Sequence, residues 1–237
     1  MTVTSPKYLN KNCGRSRGEI TRDVLIEAAL EIFGRDGFDA ASTREIAELA
    51  GTNQALINYH FKGKQGLYLA VFEHIAEQMR QGLGAIIQEI SQHIDDVSNL
   101  DQDQKTEFAL TALESITSRL IHMMNSRLTR HWSNMILREQ QHPTAAFDIM
   151  YNGPMGKLFE ITTRLIAMIK QIDPDTEEAR LMSILIFGQI HILKVARATL
   201  LARMQWQEFG EKEMAFAEQM IFNNIRALLG VETATRT

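Results

Sequence analysis

Gln54, Asn58, Tyr59 and His60 fall within one short stretch of this chain, interleaved with the apolar residues Ala55, Leu56 and Ile57. Gln and Asn amides donate and accept at once, so either can pair bidentately with an adenine edge in the major groove of DNA. A phenol or an imidazole can reach phosphate oxygens, and the ammonium of Lys64 can hold a phosphate as a point charge. Other chemistry finds no comparable set. The sequence has no HExxH, no pair of histidines one helical turn apart and no Gly-rich loop following a strand, so neither a metal site nor a cofactor is expected. Asp95-Asp96 and Glu177-Glu178 read as solvated charge near helix ends rather than as an acid/base pair. The single cysteine, Cys13, excludes a disulfide framework or a thiolate metal site within one chain. An enzyme is therefore not expected.

The elements around these residues are legible from spacing. Residues 24–33 place Leu25, Ala28, Ala29, Ile32 and Phe33 on one helical stripe, and Gly37 comes after it as a helix-ending signal. Ser42-Thr43-Arg44-Glu45 fits a capping box, with the Ser42 hydroxyl taking a backbone N–H and Glu45 reaching back. A short amphipathic helix with Ile46, Ala47 and Leu49 comes next, then Ala50-Gly51-Thr52-Asn53 as a tight turn. A second short helix over residues 53–59 leaves its polar side chains pointing outward, while Phe61 and Tyr68 are packing residues. This is a helix-turn-helix, a shape that also occurs in heads packed internally without nucleic acid.

The ordered set Ala28-Ala29-Leu30-Glu31-Ile32-Phe33, Gly37-Phe38, Thr43-Arg44-Glu45-Ile46-Ala47, Ala50-Gly51, Tyr59-His60-Phe61 and Lys64 resembles the head of the TetR family of bacterial transcriptional regulators, over about a fifth of the chain. The resemblance implies Thr43 and Arg44 at the backbone or groove edge, Asn53, Gln54, Ala55 and Asn58 facing bases, and Tyr59, His60 and Lys64 on phosphates. Gly63 departs from the Ser, Asn or Asp usual before the lysine, which implies a weaker cap and a frayed start to the next helix. A later stretch, Arg138-Glu139-Gln140-Gln141-His142-Pro143-Thr144-Ala145-Ala146, resembles a subgroup of these regulators related to the enterobacterial CecR. Its Pro143 and Thr144 suit a helix start, and Glu139 suits a cap.

The formal net charge of −4 conceals a split, since residues 1–64 carry nine Lys and Arg against eight Asp and Glu, a balance of +1. Local field matters more to DNA than the total. Residues 1–18 form a basic arm with Lys7, Lys11, Arg15 and Arg17, read either as a groove-seeking arm or as a plain tail. It lacks an apolar leader core, and no apolar run approaches the length of about 18 residues that a membrane span needs, so the expected location is the cytoplasm.

Beyond a head at residues 19–64, residues 65–230 read as a larger helical ligand-binding and dimerisation domain, with a short tail at 231–237. The fold class is all-α. Leu67, Val71, Ile75, Met79 and Leu83 step by four into a long connecting helix, residues 95–104 form a polar break, and a further helix is expected over 108–124. Two last helices are expected over 176–204 and 208–229. The first of these is apolar all round, with Leu181, Ile184, Leu185, Gly188, Ile192 and Val195 on one side and Met182, Ile186, Ile190 and Leu193 on the other. Its outer side is therefore expected to meet a second copy, and the resemblance likewise implies a homodimer through a four-helix bundle. A small apolar or amphipathic effector is expected in a Met-rich cavity, with His122, Met123, His131, Trp132, Met135, Phe147, Gln189 and His191 as lining candidates and His191 read as a core histidine. Together these features describe a ligand-responsive repressor of a palindromic double-stranded operator. A helical small-molecule-binding protein and a ligand-independent DNA-binding factor stand as alternatives.

Overall fold

The computed structural model describes residues 16–126 and 129–231, and every regular element among them is helical. Expectations placed on Lys7, Lys11, Cys13 and Arg15, and on the tail beyond Val231, lie outside the described residues. The helices sort into two compact units, one of residues 1–78 with 128–153 and one of residues 79–127 with 154–237.

The first unit holds α1 (Arg17–Ala40), α2 (Thr43–Leu49), α3 (Ala55–Phe61), the first half of α4 (Lys64–His93), α6 (Arg130–Gln141) and α7 (Ala145–Met150). Its core is the expected stripe of Leu25, Ala28, Ala29, Ile32 and Phe33, joined by Ile46, Ile57, Leu67 and Val71, all buried. This unit runs past the boundary expected at Lys64, and it also takes in α6 and α7, which linear order assigned to the larger domain. The reason is that Asn134 and Arg138 on α6 donate hydrogen bonds to backbone carbonyls of α1.

The second unit holds the rest of α4, α5 (Gln102–Asn125), α8 (Gly156–Lys170), α9 (Glu177–Val195), α10 (Arg197–Met204) and α11 (Glu211–Leu229). Two boundaries differ from expectation. The polar break is shorter, because Asp101 and Gln104 cap each other's backbone N–H and start α5 at Gln102. The single helix expected over 176–204 is two helices, bent by 77° at Ala196 although neither Gly nor Pro stands there. Among the described residues no single helix is long and apolar enough to cross a membrane.

The two sides of α9 separate as the sequence divides them. Ile186 and Ile190 are buried, whereas Leu181, Ile184, Leu185, Ile192 and Val195 are each about half exposed, at 49–56%. On α11, Phe216 and Met220 are similarly exposed.

Candidate nucleic-acid interface

The exposed edge of the helix-turn-helix is set by how two short helices end. α2 starts on the Ser42 hydroxyl, which accepts the Glu45 N–H at 3.4 Å. The second half of the expected box is absent, because Glu45 turns away and takes the Arg35 guanidinium at 2.6 Å, tying α2 to α1. An ion pair to an opposite charge outcompetes a local backbone bond here. At its other end α2 closes in a Schellman turn, with Thr52 N–H on the Ala47 carbonyl and Gly51 N–H on that of Glu48. Gly51 supplies the required left-handed φ of 64°.

α3 then buries Ile57 and Phe61 and turns Ala55, Asn58 and Tyr59 outward, the tyrosine 80% exposed. Gln54, also exposed, donates through Nε2 to the Thr43 hydroxyl at 2.9 Å, joining the turn to the start of α2. Asn53 has a second task besides any base contact: its Oδ1 accepts the Ala55 N–H at 2.8 Å and caps α3. Arg44 is exposed and donates to Glu48 at 2.8 Å, an attachment that keeps its guanidinium more firmly protonated. His60 lies half-buried with its ring centroid 4.9 Å from that of Tyr59. Lys64 places its ammonium 3.0 Å from the Asp39 carbonyl and 4.8 Å from the Phe38 ring centroid, so it is oriented by the end of α1. Gly63, with φ 112°, carries the chain into α4, whose first turn is closed by Leu67 N–H on the Gly63 carbonyl at 3.1 Å.

Two glycines fix clearances that sequence reading missed. A Cβ on Gly66 would overlap the Phe61 carbonyl oxygen, so α3 and α4 meet at their corner only because residue 66 has no side chain. A Cβ on Gly34 would stand 2.7 Å from the His131 Cβ, so α1 and α6 touch nearly backbone to backbone. The only hint in the sequence is a glycine inside a helical pattern, which otherwise carries a penalty of about 1 kcal/mol against alanine.

The stretch 138–146 is the lock on this unit. Glu139, 3% exposed, accepts the Tyr68 hydroxyl at 2.8 Å on one oxygen and the Thr144 N–H and hydroxyl at 2.8 and 2.9 Å on the other. Thr144 in turn caps α7 by accepting the Ala146 N–H. Burial, and then the bond to Glu139, pushes the Tyr68 phenol well above its ordinary value. Because the folded value is raised, this stabilisation is complete below the usual tyrosine value of about 10 and is lost as pH rises above it. Urea unfolding above about pH 10 is therefore expected to show a fall in stability that Tyr68→Phe lacks, and identical alkaline profiles for the two proteins would count against it.

A helix-turn-helix with a bare outer face of α3, on a chain otherwise all helical, is matched by comparison with known proteins. Residues 25–71 match the family described as bacterial regulatory proteins, tetR family, and residues 109–231 match the C-terminal domain of the HTH-type transcriptional dual regulator CecR. CecR of Shigella flexneri is 32% identical over 90% of this chain and 93% of its own. The chain belongs to the TetR family. It is a DNA-binding transcriptional regulator of the CecR group, and its relatives are regulators rather than enzymes. Solved structures share the fold. The fatty acid degradation regulator FadR of Bacillus halodurans aligns over 95% of this chain and 99% of its own with a TM-score of 0.56 at 16% identity. Bacillus subtilis FadR, solved with stearoyl-CoA, aligns over 86% and 96% with a TM-score of 0.55 at 16% identity.

The expected effector residues of this TetR-family chain divide between the units. His131, Trp132, Met135 and Phe147 lie in the first, where Trp132 and Met135 are buried and Phe147 stacks on Tyr151 at 5.3 Å. The second holds His122, Met123, Gln189 and His191. His191 is exposed rather than in the core, with Nδ1 3.0 Å from the Phe187 carbonyl. The Oε1 of Gln189 is buried and has no hydrogen-bond partner. His122 lines an open groove of about 500 Å³ with Arg119, Glu218 and Phe222, its Nε2 3.9 Å from Glu218. The methionines of the expected cavity do not share one wall: Met135 and Met150 are buried in the first unit, and Met168 borders a separate groove of about 330 Å³ in the second.

Proposed function

We propose that this regulator is a ligand-responsive repressor that binds a palindromic operator as a homodimer in the cytoplasm. The observation that carries the reading is α3, anchored by Ile57 and Phe61 with Ala55, Asn58 and Tyr59 exposed along its outer side and Gln54 exposed at its start. Gln54, Ala55 and Asn58, with Asn53 where its capping bond permits, read base edges. Thr43, Arg44, Tyr59, His60 and Lys64 hold phosphates. Two copies joined through the exposed apolar sides of α9 and α11 present two heads to successive major-groove faces, which demands a palindrome.

The effector part rests on the second unit. A buried amide oxygen without a donor is destabilising by about 1–3 kcal/mol, so a ligand carrying a donor would be stabilised at Gln189. A small amphipathic molecule suits that arrangement, and the FadR fold relative was solved with an acyl thioester. Such a ligand strengthens or releases operator binding by favouring one population of heads over another. One observation favours a second sign of regulation: the relative from Shigella is described as a dual regulator, so the same dimer would activate at some promoters.

The test begins with operator selection from random DNA using the full chain, and then measures binding across a salt series. Lys64→Ala is expected to weaken binding to every sequence and to lower the salt slope by about one. Asn58→Ala is expected to leave the slope intact and to relax preference at one base pair, by about 1–3 kcal/mol of discrimination. Equal loss on all sequences from Asn58→Ala would refute base readout. Failure of any fatty or amphipathic compound to shift operator affinity would refute the effector.

A further inference from the structure

We propose that Arg138 and Asn134, far in sequence from the helix-turn-helix and outside any DNA contact, are positioning residues for operator binding. They act by capping the broken end of α1. Gly37, at φ 83° and ψ 175°, takes α1 out of helical geometry near its end, where helix carbonyls run short of regular partners. Phe33 and Gly34 are buried, and a buried carbonyl left bare is destabilising. α6 supplies side-chain donors to that turn. Asn134 Nδ2 donates to the Gly34 carbonyl at 3.2 Å, and one turn later Arg138 donates to those of Phe33 and Arg35 at 2.7 and 3.3 Å. Three consecutive carbonyls are thus served by an i, i+4 pair on one helix, at a seam that Gly34 lets close. The guanidinium also lies 3.3 Å from where a Cβ on Gly37 would stand.

The residues just past the break at Gly37 orient the groups that face DNA. Phe38 supplies the ring under the Lys64 ammonium, and Asp39 supplies the carbonyl that Lys64 grips. Just before the break, Arg35 holds Glu45 at the first turn of α2. Beneath Phe38, the Tyr68 ring packs edge-on at 5.1 Å, and its hydroxyl is held by Glu139, the neighbour of Arg138. The last turn of α6 therefore grips both the broken end of α1 and the ring beneath it. Loosening that grip frees the Gly37 turn to move Lys64 and α2 together.

The inference rests on the proposed phosphate contact of Lys64, and the test separates the two. Full-length variants are titrated with the selected operator across a salt series, well below each variant's melting temperature, with the active fraction measured at saturation. Arg138→Ala is expected to raise Kd about tenfold, roughly the loss of one charge-assisted hydrogen bond, at wild-type active fraction and unchanged salt slope. Asn134→Ala should act in the same sense more weakly, and it keeps the test open if Arg138→Ala does not fold. Arg138→Lys should recover only part of the loss, because an ammonium cannot span two carbonyls as the guanidinium fork does. A lower melting temperature with unchanged Kd would reduce Arg138 to a stability residue and overturn the proposal. A salt slope lowered by one would make Arg138 itself a phosphate contact, and full recovery by lysine would make charge alone sufficient; either result overturns it too. If Lys64→Ala leaves the slope unchanged while Arg138→Ala still raises Kd, the phosphate contact fails and the positioning role stands through α2.

Discussion

Ile184→Asp is expected to convert the protein to a monomer and to lower its affinity for the full palindrome by about 10²–10⁴, while half-site affinity holds. Ile184 is 55% exposed in the single chain, so a carboxylate there leaves the fold of one copy undisturbed. In a dimer joined through α9 the same carboxylate would be buried against its own copy, unpaired and repelled. The operator term is large because linking two heads makes the second contact intramolecular, and separating them forfeits that effective concentration without touching a single DNA contact. Sedimentation and binding on full and half operators check both parts. Wild-type mass and palindrome affinity in Ile184→Asp would place the dimer elsewhere or remove it.

The second large effect belongs to Gly66. Gly66→Ala is expected to lower unfolding stability by more than about 3 kcal/mol, or to abolish binding to every sequence if the corner opens instead. The atom in the way is the Phe61 backbone carbonyl, which no rotamer change can move. Relief requires α3 to swing from α4, which displaces Asn58 and Tyr59 as well. Gly84, also within α4, has nothing within 4 Å of its would-be Cβ, so Gly84→Ala should instead be neutral or stabilising by up to about 1 kcal/mol. Chemical denaturation of the pair distinguishes a steric requirement from mere helix propensity. Similar changes at both positions would count against the clearance at the corner.

Much of this architecture was readable because it depends on local periodicity. The division of α9 into an outer set at Ile184, Leu185 and Ile192 and an inner set at Ile186 and Ile190 comes from a 3.6-residue repeat. The Schellman turn at Gly51 likewise comes from local backbone sterics, since only the bonds of neighbouring residues enter. The four-residue step along α4 needed nothing more than apolar spacing: Leu67, Val71, Ile75 and Leu83 are all at or below 1% exposure.

Other features arise from competition between local and distant partners. Glu45 fits a capping box by position, but Arg35 offers it an opposite charge and wins. Nothing local in the sequence marks the carbonyl partners of Asn134 and Arg138, which lie 100 and more residues upstream. Glu139 suits a cap by its sequence, and it does hold Thr144, but its bond to Tyr68, 71 residues upstream, is not legible there. The bend at Ala196 carries no local breaker in its sequence. Periodicity, capping and turn chemistry act over a few residues, so the chain alone declares most of its helices, the exposed face of α3 and the exposed apolar side of α9. Which unit holds α6, what secures the end of α1 and where the buried polar groups find partners depend on atoms that folding alone brings within bonding distance.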